Sequence, residues 1–78
     1  MPYREYNKFI MRKFSEKLKE LREEKGLTML ALSKSLGVGC NTIGRWERCE
    51  RDITSDNLIK VADFFDVSLD YLTGRTND

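Results

Sequence analysis

Three residues, Gly37-Val38-Gly39, constrain this chain more than any others. They separate two short segments with helical apolar spacing. Leu32 and Leu36 mark the inner face of the first, and Ile43 and Trp46 that of the second. A turn of three or four residues containing Gly makes its two helices cross at a wide angle. The second helix then stands proud of the body. The spacing predicts these helices over residues 29–36 and 40–48. Thr28 caps the first, Gly37 ends it, and Gly39 caps the second.

Helical spacing governs the rest of the chain. Ile10, Phe14, Leu18 and Leu21 repeat at four, four and three, which predicts a first helix from about residue 8 to 25, stopped by Gly26. Phe9 and Met11 fall outside that pattern. Thr54 opens a fourth helix with the stripe Leu58, Val61, Ala62 and Phe65. Ser68 caps a fifth, with Leu69 and Leu72 inward and Gly74 closing it. No stretch alternates apolar and polar residues as a strand would. The reading is all-α: residues 1–13 an extension merging into the first helix, 14–75 one five-helix domain, and 76–78 a frayed tail.

Composition excludes several function classes. A chain of 78 residues holds one small domain, with little room beside its core for an enzyme cleft. Histidine is absent, which removes the commonest general base and metal ligand. No catalytic, metal, cofactor or small-molecule site is expected. Cys40 and Cys49, nine apart, form neither a disulfide framework nor a zinc pattern. Along a helix they would stand about 13 Å apart at a rise of 1.5 Å per residue. A disulfide needs roughly 4.4–6.8 Å between its Cα atoms. No apolar run approaches a membrane span, and the start MPYREYNKF lacks the pattern of a signal peptide. The expected compartment is the cytoplasm.

The net charge of +1 hides an asymmetry. Residues 1–51 carry 12 Lys/Arg against 7 Asp/Glu, and residues 52–78 carry 2 against 6. A basic front suits a chain that meets a polyanion with one end, although chance clustering gives the same pattern. The protruding second helix of the pair turns Cys40, Asn41, Gly44, Arg45 and Arg48 outward, while Ile43 and Trp46 anchor it. A helix of that width fits the DNA major groove, where Asn pairs with adenine and Arg with guanine. Thr28 starts the preceding helix, whose first amides favour a phosphate. Lys34 reads as solvated or as a weak phosphate contact.

LKELREEKGLT, LGV, NTIGRWER and DNLIKVADFFDVSLDYLTGR resemble the Xre or Cro/CI-type helix-turn-helix domain of phage and bacterial repressors. The resemblance covers roughly residues 14–75. It implies a five-helix, λ-repressor-like domain that binds operator DNA, double-stranded, as a homodimer, and it implies repression rather than activation. The DNA-facing set it implies is Thr28, Met29, Gly39, Cys40, Asn41, Thr42, Gly44, Arg45 and Arg48. Arg22 lies on the inner side of the first helix beside Leu18 and Leu21, and Glu47 follows Trp46, so a partly buried ion pair is expected between them; the resemblance points to the same pair. The departures lie in the reading head. Met29 replaces the usual Gln, Leu30 and Ala31 replace polar residues, Gly39-Cys40 opens the third helix, and Cys49 and Ile53 stand where loop Gly and Pro are usual.

Three features carry alternatives. Gly44 within a helix costs roughly 0.5–1 kcal/mol against Ala, and is either tolerated drift or a place where backbone approaches DNA closely. Phe64 beside Phe65 cannot share one core stripe, so it is expected at a two-fold contact, with Tyr71 joining it. Met29 and Leu30 either fold back on the body or grip a partner. The latter suits a rival reading, an interaction module of the same fold that binds a toxin or another repressor rather than DNA.

Overall fold

The computed structural model describes residues 3–74. They form α1 (Tyr3–Glu24), α2 (Met29–Leu36), α3 (Thr42–Glu47), α4 (Ser55–Phe65) and α5 (Leu69–Leu72), with no strand among them. The tail 76–78 lies outside the described residues. At 1.5 Å per residue, the 22 residues of α1 span about 33 Å, close to the 37 Å long axis of the molecule. Two helices pack directly on it, α3 and α5; α2 packs on α3 and α4, and α4 on α5.

One core joins all five. Phe14 and Leu18 meet Leu32, Leu36, Ile43, Trp46, Val61, Ala62, Phe65 and Leu72, every one of them buried. Trp46 meets Phe14 edge to face, with ring centroids 6.1 Å apart. These are the positions that helical spacing marks as inward. Two expectations fail at the margins. Met11, outside the spacing, is buried in this core. Its sulfur lies 3.4 Å from the Ile53 amide, on the loop before α4. Leu69, expected inward, is exposed at the outer end of a helix only four residues long.

Helix ends follow from side chains and turns. Thr28, Thr54 and Ser68 each accept a hydrogen bond from the backbone amide three residues on, which satisfies a donor the helix leaves open. Gly37 closes α2 at φ 73°, a left-handed conformation that costs residues with a Cβ about 1–2 kcal/mol. The Val38 amide then bonds back to the Ser33 carbonyl at 3.0 Å.

Two boundaries differ from the sequence reading. α1 begins at Tyr3 rather than near residue 8, so the expected extension is largely helix. Burial of Met11 gives that first half an anchor. α3 runs only from Thr42 to Glu47, shorter than 40–48 at both ends. Gly39 does not cap it. Instead, the Thr42 amide bonds to the Gly39 carbonyl at 3.0 Å, closing a turn that carries Cys40 and Asn41.

Candidate nucleic-acid interface

The short α3 sits where two elements hold it. On one side, the buried hydroxyl of Ser15 donates to the Trp46 carbonyl, with the Met11 carbonyl, 2.7 Å away, as its other acceptor. On another, Arg22 of α1 grips Glu47. Its Nε donates to Oε2 at 2.7 Å and its Nη2 to Oε1 at 3.2 Å. The side chains are 12% and 4% exposed. The hydrogen bond to Glu47 raises the Arg22 pKa above its ordinary value. Ile43 and Trp46 complete the anchorage.

What α3 turns outward is the turn before it and one edge of the helix. Cys40, Asn41, Arg45 and Arg48 are exposed, and Thr42 is half-buried. Asn41 occupies the N-cap position but makes no side-chain capping bond, so its amide group is not committed to the helix. The start of α2 lies beside this edge, since Met29 reaches the Gly44 backbone of α3. There Thr28 uses its hydroxyl on the Ala31 amide. Helix geometry leaves the amides of Met29 and Leu30 without intrahelical partners. Met29 and Leu30 are both exposed. Lys34 is exposed too.

Gly44 departs from expectation. It is buried rather than open. A Cβ built there would stand 2.9 Å from Arg48 Nη1 and 3.5 Å from Met29 Sδ. The two side chains lie across the glycine, so its backbone is covered by the protein itself.

Arg48 has a partner that sequence reasoning missed. Its Nε donates to Glu50 Oε2 at 2.9 Å and its Nη2 to Oε1 at 3.2 Å. Residues two apart do not face each other along a helix. The pair forms because Cys49 turns the chain left-handed at φ 58°. The Glu50 amide then bonds to the Arg45 carbonyl at 2.8 Å. The available signal is Cys49 itself, standing where the resembling family carries a loop Gly. The Cys49 thiol lies 3.0 Å from Ser15 Oγ, and both cysteines are free thiols.

Phe64 and Tyr71 differ from their expected exposure. Both are half-buried. Phe64 packs edge to face on Phe65 with ring centroids 5.0 Å apart, and Lys25 Nζ lies 5.6 Å from its centroid. Lys17 Nζ lies 4.8 Å from that of Tyr71. The adjacent phenylalanines avoid competing for one stripe by stacking on each other. The exposed apolar residues of α4 and α5 are Ile59 and Leu69.

Among the described residues, no group of three or more His, Cys, Asp or Glu is placed to hold a metal ion. No described helix is long and apolar enough to cross a membrane.

Comparison with known proteins gives a consistent result. The family described as helix-turn-helix matches residues 18–72. The chain is 37% identical over 60 residues to the HTH-type transcriptional regulator ImmR of Bacillus subtilis, covering 77% of this chain and 47% of that protein. It is 32% identical over 65 residues to the uncharacterized HTH-type transcriptional regulator YobD of the same organism, covering 83% and 58%. The chain thus spans about half the length of these curated relatives. Among solved structures, the restriction-modification controller protein C.AhdI of Aeromonas hydrophila superposes with a TM-score of 0.72 at 32% identity, covering 80% of this chain and 94% of that one.

Proposed function

Because the chain belongs to the helix-turn-helix family of the Xre or Cro/CI type, we propose that it is a sequence-specific DNA-binding transcriptional regulator acting in the cytoplasm. The observation that carries this reading is the exposed edge formed by Asn41, Arg45 and Arg48 beside the Thr28-capped start of α2. α3 is wedged against the core by Ile43 and Trp46, and its outer edge suits the major groove.

The mechanism is non-covalent. The open amides at the start of α2 and the Lys34 cation hold phosphates and fix orientation. Asn41 offers the donor and acceptor that adenine matches, and Arg45 offers the fork that guanine matches. Cys40 and Met29 present apolar surface to a thymine methyl. Thr42 and Gly39 shape the turn that carries Cys40 and Asn41. Two copies related by a two-fold axis would set their α3 helices about 34 Å apart on successive turns of the duplex. Occupancy of a promoter by such a dimer would exclude polymerase, which is repression.

The exposure of Leu30 and Met29 beside the same face favours one second reading, an interaction module of the same fold that grips a protein partner. Selection of bound sites from a random duplex pool separates the two. A regulator enriches a sequence with two-fold symmetry, and its affinity falls steeply with salt. No enrichment and no salt dependence would overturn the DNA-binding reading and leave the partner-binding one.

A further inference from the structure

The fork between Arg48 and Glu50 does little for folding, since both side chains are more than half exposed. Exposed ion pairs of this kind contribute little stability. Yet the pair is built with care. Cys49 adopts a left-handed conformation, and the backbone bond from Glu50 to Arg45 fixes where the carboxylate stands. Gly44 provides the space into which Arg48 Nη1 settles. The bonds to Glu50 use Nε and Nη2, one of the two edges with which an arginine forks a phosphate or a guanine, while Nη1, which completes the other edge, is turned onto Gly44. The carboxylate therefore occupies the seat of a nucleic-acid ligand.

We propose that Glu50 is a selectivity residue, a built-in competitor that withholds Arg48 from DNA phosphates in general. The proposal rests on the DNA-binding reading above. A lone phosphate must displace Glu50 and then lie beside its charge, well within the screening distance of physiological salt. A phosphate can fork the same edge but brings a full negative charge against the displaced carboxylate, whereas the neutral guanine edge replaces the fork without that repulsion. Generic binding is weakened more than binding at a matched site. The lowered pKa of Glu50, caused first by its hydrogen bond to Arg48, keeps the competitor charged.

The test compares wild type, Glu50→Gln, Arg48→Ala and the double variant for binding a fluorescent 20-base-pair duplex of random sequence across a salt series. The exposed positions leave the fold intact, which thermal melts verify. Glu50→Gln should tighten binding about 3- to 10-fold at low salt, and steepen the salt dependence by about one released counterion. In the Arg48→Ala background the same change should gain less than about 2-fold, because the carboxylate acts through Arg48. Equal gains in both backgrounds would overturn the proposal, leaving Glu50 as ordinary charge repulsion. So would no gain in either. Wild type that shows no salt-dependent binding would sink the DNA-binding reading and the Glu50 proposal together, which separates that failure from the other two.

Discussion

Arg22 clamps Glu47 and the Leu27 carbonyl at once. The carboxylate takes Nε and Nη2, and Nη1 donates to the Leu27 carbonyl at 2.9 Å. One guanidinium thus ties the end of α3 to the loop that enters α2. The geometry that sets the two helices of the interface depends on it.

Removal of one partner should therefore cost far more than an exposed ion pair would. Glu47→Ala leaves the Arg22 guanidinium mostly buried and without its fork, a loss of about 3 kcal/mol. For a domain of this size that lowers the melting temperature by at least about 10 °C. The pair Arg22→Met with Glu47→Leu should recover much of the loss, since neither then buries an uncompensated charge. Urea unfolding of the two variants and the wild type checks this. A Glu47→Ala variant within 1 kcal/mol of wild type, the ceiling for a surface pair, would contradict the clamp.

Glu50 titrates in the opposite sense to a buried acid. Its hydrogen bond to Arg48 lowers its pKa below the ordinary carboxylate value. A lowered folded-state pKa means the fork is fully present above the unfolded value and is lost as pH falls through the folded one. The fork should therefore persist through the ordinary carboxylate range, and open only below it. Carboxyl-carbon NMR should show a Glu50 midpoint below the ordinary carboxylate value, and Arg48→Ala should raise it.

Much of the core was legible because helical spacing is a strong signal over long amphipathic runs. Phe14, Leu18, Val61, Ala62 and Phe65 follow from it directly. Met11 was not legible, because its burial depends on the loop before α4 folding over α1, a contact 42 residues away in sequence. The short α3 defeated boundary reading for a local reason. The Thr42 amide bonds to the Gly39 carbonyl, so residues 39–41 close a turn before the helix, a choice that apolar spacing does not report. Arg22 and Glu47 were legible from position, Arg22 beside Leu18 and Leu21 on the inner side of α1 and Glu47 directly after Trp46, and the resemblance points to the same pair. The Arg48–Glu50 fork depends on a left-handed cysteine, which no periodicity reports; its one signal is Cys49 standing where the resembling family carries a loop Gly.

The expected homodimer now has a cleaner probe than Phe64. Phe64 packs on Phe65, so Phe64→Ser would damage the monomer as well as any interface. Leu69 is exposed and opens the helix that carries Tyr71. If α5 forms the two-fold contact, Leu69→Ser should weaken association at least about 10-fold, a loss of about 1.4 kcal/mol. The monomer's melting temperature should hardly change. Sedimentation across a dilution series reads this. Association equal to wild type would remove α5 from the interface.

Gly44 gives the sharpest contrast between the sequence reading and the structure. Close approach of DNA to a bare backbone predicts that a methyl group there blocks binding. The structure shows Arg48 and Met29 already covering that backbone. Alanine restores helix propensity worth roughly 0.5–1 kcal/mol. Its Cβ would meet Met29 Sδ at 3.5 Å, an ordinary contact, and Arg48 Nη1 at 2.9 Å, which is too close. The obstructing atom is the tip of a long flexible side chain, so it moves at little cost. Gly44→Ala should then raise stability by about 0.5 kcal/mol while shifting the guanidinium off Glu50. Two measurements follow from that single displacement. The melting temperature should rise by about 2–4 °C, and the Glu50 midpoint should climb toward the ordinary carboxylate range. A destabilised variant would mean that Arg48 cannot yield, and that the glycine is required to seat it. A more stable variant with an unmoved Glu50 midpoint would mean that the fork survives without the space Gly44 provides.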